Sequence, residues 1–473
     1  MKTPFCLAPQ SGANVKRLLF AFALMMRLTG ENPQLTPQQT LAHDIFKQLI
    51  NINTTNSVGD NTRAADAMAA RFRDAGYSES DIRVLAPMPR KGNLVVRLHG
   101  TGVAKPILFI GHIDVVEANR SDWSFDPFEF REQDGYFYGR GAQDMKGDDA
   151  ILVAAFLRMK REGFRPSRDL ILALTSDEEG GPSNGIDWLL KNHRDLIDAE
   201  FCVNSDAGGG DIKNGKQRYM GLSAAEKVFL SFRLETRNPG GHSSLPTKDN
   251  AIYHLAEGLS RLATFDFPVH LFDVTRAFFE RTAQFSSGQT AADLKAVVAN
   301  PDDPAVIARL AASPYYNALL RTTCVATMLS GGHAENALPQ SATATVNCRL
   351  LPVDKPEDVE RTLKTVLADP KISVSVLTAA VPSQFAPINP KVMSAVSAAT
   401  TKHFPGLQVI PSMETGATDG VYLRGASIPT YGVSGVFADE DDIRAHGRDE
   451  RILVKSFYDG VDFMYDVVTT LGK

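Results

Sequence analysis

Ile107-Leu108-Phe109-Ile110 runs straight into Gly111-His112-Ile113-Asp114. Four apolar residues without polar alternation read as a strand buried on both faces, the kind found in parallel sheets. Leu170 to Leu174 and Phe201 to Val203 repeat the pattern. Between the first two runs, Asp148 to Glu162 is a helix pattern closed by Gly163; upstream, Ala64, Met68 and Phe72 keep a four-residue spacing that stops at Gly76. Strands alternating with helices predict an α/β fold with a mainly parallel central sheet. Ligands collect beyond the carboxyl ends of such strands, so the polar residues just after the three runs come first.

After about Ser223 the texture changes. Val228, Leu230, Phe232 and Leu234 alternate with more polar positions, as do Ala342, Ala344, Val346, Cys348 and Leu350, and then Ile372, Val374 and Val376. These are half-buried strands of antiparallel type, accompanied by helix patterns at Ala251, Leu255, Leu259, Leu262 and at Val359, Leu363, Val366. The expected organisation is a larger α/β domain over 35–221 and 383–473, interrupted by a smaller α+β lid domain over 222–382. Within the lid, about 268–322 fits neither pattern and reads as an extra helical insertion.

The chain has 473 residues, 43% hydrophobic and 22% charged, with a net charge of −5, as expected of a globular protein larger than one ordinary core. Its basic residues are scattered, so nucleic acid is not an expected partner. No stretch reaches transmembrane length. Residues 1–34 have two readings: Lys16, Arg17 and the apolar run Leu18 to Met26 look like an export signal, implying a periplasmic or secreted protein. Otherwise the segment is a disordered tail on a cytoplasmic one. The four cysteines form no CxxC pair and are too sparse to staple the fold; Cys202 and Cys348, in apolar strands, read as inert buried thiols.

Five polar clusters follow the strands. His112 and Asp114, two apart on a strand, share a face, so one can bind a metal while the other orients the imidazole, although a lone strand-end histidine is more often structural. Gly139 to Asp148 invites a phosphate-loop reading, but Asp144 replaces the last glycine of GxGxxG; an aspartate there could instead bridge two cations. Asp177-Glu178-Glu179 is either a solvated loop or a set of acids that needs cations. Asp206 follows the third run, and His446 sits in a polar loop far downstream. Taken together, two histidines and three carboxylates suit two zinc ions sharing a bridging aspartate, with Glu178 left free as a base.

The ordered set "GHIDVV", "GYFYGRGAQDMKG", "SDEEGG", "NSDAGGG", "NPGGHSSLP", "NALPQSATATVNCRLLP", "TGATDG" and "AHGRDERI" resembles the di-zinc metallopeptidases that include carboxypeptidase G, aminoacylase, acetylornithine deacetylase and succinyl-diaminopimelate desuccinylase. Trp123 to Phe128 and "RTTCVATMLSGG" look most like the carboxypeptidase S branch. The resemblance implies that His112 and Asp206 hold one zinc, Glu179 and His446 the other, and Asp144 both, with a cis peptide after it. It implies that Asp114 orients His112, Glu178 is the general base and His242 polarises the substrate carbonyl. Asn336 and Arg349 would contact the substrate's carboxylate side. The bland alternatives are a surface-loop histidine for His242 and a cross-strand ion pair for Arg349.

The implied activity is cleavage of an amide bond next to a free carboxylate, by a carboxypeptidase or dipeptidase acting as monomer or homodimer. Cobalt or manganese could substitute for zinc. The alternatives are an N-acyl-amino-acid amidohydrolase and, more remotely, a metal-binding protein that has lost catalysis. Glu117 after "DVV" and Met145 beside the bridge depart from the family's usual residues and leave the substrate open.

Overall fold

A computed structural model describes residues 34–381 and 383–473; the export-signal reading falls outside them. The first half of the chain lays down β1 (Ile82–Leu85), β2 (Asn93–Leu98), β3 (Ile107–His112), β4 (Arg131–Gln133), β5 (Tyr136–Tyr138), β6 (Leu170–Thr175), β7 (Phe201–Asn204), β8 (Gly209–Lys213) and β9 (Lys216–Glu226). The middle contributes β10 (Val228–Arg237), β11 (Gly241–His242), β12 (Thr323–Gly331), β13 (Ala337–Leu338), β14 (Ser341–Leu350) and β15 (Ser373–Thr378). Last come β16 (Val409–Glu414), β17 (Thr430–Gly432), β18 (Phe437–Asp439) and β19 (Arg451–Leu453).

The large sheet runs β1-β2-β6-β3-β7-β17-β9-β8-β18, with β16 beside β9. Its centre, β6-β3-β7-β17, is parallel. Ile107, Phe109, Leu172 and Val203 point into one core with the helices Pro37–Ile50, Lys146–Arg161 and Val454–Gly472. Leu108, Ile110, Ile171 and Cys202 point into another, under the helices Gly185–Asn192 and Gly420–Gly425. Both faces are covered, which is why these strands lack polar alternation.

The four-stranded antiparallel sheet β12-β14-β10-β15 has a core of its own. Val228, Leu230, Phe232, Leu234 and the even positions 342–350 face the helices Ala251–Ala263 and Pro356–Leu367, leaving Thr343, Thr345, Asn347 and Arg349 on the opposite, half-buried face.

Three details of the structure differ from these expectations. A boundary at 222 falls inside β9, a strand of the large sheet, and the insertion does not belong to the lid. Its helices Asp273–Phe285, Gly288–Ala299, Pro304–Ala311 and Pro314–Leu320 send Phe278, Phe279, Leu294, Val306 and Leu319 into the main core. Periodicity shows which helix face is apolar, not which body covers it. Cys348, for its part, is not a free thiol: it is disulfide-bonded to Cys324, directly opposite on β12. Cys202 is free and buried.

Candidate metal centre and substrate cleft

Because β3 lies between β6 and β7 in parallel register, three strand ends open side by side: His112 stands opposite Thr175, and Ile110 opposite Asn204. The residues just past these ends, Glu178, Glu179 and Asp206, therefore reach one point. Between β5 and the helix Lys146–Arg161, the loop ends in Asp144, and the Asp144–Met145 peptide is cis. One Asp144 oxygen lies 3.1 Å from His112 Nε2 and the other 3.1 Å from His446 Nε2. Asp206 Oδ1 is 3.7 Å from His112 Nε2, and Glu179 Oε1 is 3.0 Å from His446 Nε2. His112, Asp144 and Asp206 thus form one potential metal-binding group and Asp144, Glu179 and His446 a second, each with donor atoms within 4.8 Å of one another.

Asp114 sits behind this set. Its backbone oxygen is 3.1 Å from His112 Nδ1, and its carboxylate oxygens accept from the amides of Glu178 (3.2 Å) and Glu179 (3.1 Å). Asp114 therefore supports the imidazole through its backbone oxygen and the acidic loop through its carboxylate. Of the three successive acids, Asp177 turns away and pairs with buried Lys91 at 2.5 Å. Glu178 Oε2 stays 4.0 Å from His112 Nε2, near the donors but in neither group.

The charges register this crowding. Burial raises Asp206 to about 7, and burial with the nearby Asp206, Asp419 and Glu179 charges raises Glu178 well above the carboxylate range against the pull of His112. Hydrogen bonds to Asp144 and Glu179 raise His446 to about 10. Burial disfavours charge on His112, but Asp206, Asp114 and Asp144 outweigh it and raise its pKa. Carboxylates this dense, with imidazoles between them, suit cations.

A cleft of about 470 Å³ leads from Glu178 and Glu179 to Phe229 and Arg349 on the small domain. Arg349 faces Phe229 on β10 and Thr323 on β12, neither of them charged, so the cross-strand ion pair is excluded by register. Its guanidinium lies over the Phe229 ring, 4.7 Å from the centroid. His242 and Asn336 meet on the exposed β11–β13 ribbon, where Ser243 N donates to Asn336 O at 3.0 Å and Ser244 Oγ lies 2.7 Å from His242 Nδ1. Among the described residues, no hydrogen bond or ion pair joins either to the metal-binding groups. Sequence reasoning missed Lys91 and also Asp419, a buried cleft carboxylate held by Thr175 Oγ1 (3.0 Å) and Asn184 Nδ2 (2.5 Å). "TGATDG" was legible as a motif, but nothing local said that it folds back beside Glu178.

Comparison with known proteins agrees with this geometry. The chain is 27% identical over 379 residues to a probable carboxypeptidase S-like protein of Dictyostelium discoideum, covering 78% of this chain and 72% of that one. It is 28% identical over 376 residues to an N-fatty-acyl-amino acid synthase/hydrolase of Homo sapiens, covering 77% and 74%. Among solved structures, a metallo-carboxypeptidase of Sulfolobus solfataricus superimposes with a TM-score of 0.68 at 17% identity, over 91% of this chain and 99% of that one. Residues 108–470, from β3 to the last helix, match the model of peptidase family M20/M25/M40, so the chain belongs to that family and is a hydrolytic enzyme.

Proposed function

We propose that the protein is a di-zinc exopeptidase of carboxypeptidase or dipeptidase type, cleaving the amide bond next to a residue with a free carboxylate. The observation that carries this is Asp144, whose two oxygens face two histidines 3.1 Å away on opposite sides. His112, Asp144 and Asp206 would hold one cation, and Asp144, Glu179 and His446 the other. Bound there, the cations supply Lewis acidity to the scissile carbonyl and acidify the attacking water. Glu178, raised in pKa and held by Asp114 through its amide, takes the water's proton and passes it to the leaving nitrogen. His242 is a candidate for stabilising the oxyanion, which requires the small domain to close or a neighbouring subunit to supply it.

Arg349 supports the carboxylate requirement: it lines the cleft with Glu178 and has no charged cross-strand partner. A guanidinium binds a carboxylate through two parallel hydrogen bonds, orienting it as well as neutralising it. An N-acyl-amino-acid amidohydrolase shares the machinery and the free carboxylate, and the human relative's name favours it as the second reading. Among the described residues, no helix is long and apolar enough to cross a membrane. The Cys324–Cys348 disulfide supports an oxidising compartment, hence a periplasmic or secreted enzyme.

The test is a panel of dipeptides and N-acyl amino acids with their C-terminal amides, on zinc-, cobalt- and manganese-loaded protein. Wild type is expected to prefer the acids, and Arg349→Ala to lose about ten- to a hundredfold in kcat/KM on them. Equal hydrolysis of acid and amide by wild type refutes carboxylate recognition; a preference kept by the variant refutes Arg349.

A further inference from the structure

Glu450 is fully buried, four residues beyond His446. Its Oε2 accepts from Arg140 Nη1 at 2.6 Å and the Gly141 amide at 3.0 Å; its Oε1 accepts from the amides of Gln143 at 2.8 Å and Asp144 at 3.0 Å. Arg140 Nη2 in turn donates to the carbonyls of His446 at 3.3 Å and Gly447 at 3.0 Å. The same guanidinium lies over the Trp123 ring, 5.0 Å from its centroid. One buried ion pair thus fastens two loops whose bonded residues, Asp144 and Glu450, stand 306 apart in sequence. His446 sits at φ +62°, a conformation that a non-glycine residue keeps only when its surroundings hold it.

We propose that the Arg140–Glu450 pair is the positioning element that assembles the His446 side of the metal centre. The inference rests on the two-metal reading above. The pair bonds directly to the backbone of two prospective ligands, Asp144 and His446, and to that of neither His112 nor Asp206. The group Asp144, Glu179 and His446 therefore has two of its members held by the pair, while His112, Asp144 and Asp206 has one. A four-donor shell also explains how a carboxylate is accommodated in full burial. Disturbing the pair should act unevenly on the two metals.

The test uses full-length protein titrated with cobalt, with His446→Ala marking which of two binding steps belongs to the His446 side. Arg140→Lys keeps the charge but cannot span a carboxylate and two carbonyls. Glu450→Gln keeps the shape but turns one acceptor into a donor facing other donors. In either variant the marked step is expected to weaken by about ten- to a hundredfold and the other by less than about tenfold. Thermal unfolding of the metal-free variants shows whether they are folded; if Glu450→Gln does not fold, Arg140→Lys decides alone. A merely structural pair would lower the unfolding temperature and leave both affinities of the folded protein as in wild type. That result overturns the proposal, as does equal weakening of both steps. Wild type binding fewer than two cobalt ions overturns the two-metal reading itself, and this inference with it.

Discussion

Replacing Lys91 with methionine removes the cation beneath the acidic loop. Lys91 Nζ lies 2.5 Å from Asp177 Oδ1 and 2.7 Å from Asn56 Oδ1, and the Asp177 side chain is 0% exposed. Among the described residues, the other Asp177 oxygen accepts only a 3.2 Å bond from the Ser183 amide. Asp177 cannot turn to solvent: a Cβ on Gly181 would lie 2.2 Å from its carboxylate, so the loop is closed tightly over it. Breaking a buried pair from one side leaves an uncompensated charge, and Lys91→Met should lose about 3–5 kcal/mol of stability. Asp177→Asn should lose less, about 1–3 kcal/mol. Lys91 then keeps Asn56 and can lean outward, and asparagine tolerates the φ of +62° found at 177. The double variant has no stranded carboxylate, so the singles should overshoot the double by about 2 kcal/mol or more. The assay is urea unfolding of the four metal-free proteins, with zinc content as a second readout, because the loop carries Glu178 and Glu179. A Lys91→Met loss below about 1 kcal/mol, the value of a surface pair, would refute the argument. Singles that simply add within about 0.5 kcal/mol would refute it equally.

Glu178→Gln should keep both metals and lose about 10²–10⁴ in kcat, whereas Glu179→Gln should lose metal; metal analysis beside steady-state kinetics separates base from ligand. Burial pushes the Lys227 ammonium down to about 7. The unfolded chain keeps that proton up to about 10.4, so between the two values it binds more protons than the folded state and stability rises with pH. Unfolding measured at pH 7 and pH 9 should show a smaller rise in Lys227→Met than in wild type. The Cys324–Cys348 bridge spans 24 residues, so a Cys324→Ser, Cys348→Ser double variant should lose about 2–4 kcal/mol. Alkylation without prior reduction should label neither cysteine in wild type; labelling of both refutes the bridge.

The sequence by itself determined the sheet and the positions from which its chemistry issues. Unbroken apolar runs at Ile107, Leu170 and Phe201, too short for buried helices, read as strands covered on both faces, and parallel neighbours deliver the residues that follow them to a common edge. That is a local argument, and it put His112, Glu178, Glu179 and Asp206 together; Asp144 and His446 joined them as the donors that complete a two-cation set, and the resemblance assigned each ligand to its metal. The tertiary structure alone decided what depends on pairing between distant segments. Register set Arg349 opposite Phe229 rather than an acid and Cys348 opposite Cys324. Packing sent the insertion helices to the main core, since an amphipathic stripe specifies burial but not the surface that provides it. Lys91 and Glu450 look in sequence like ordinary surface charges, because a buried ion pair is defined by its partner's place in space and no periodicity encodes that.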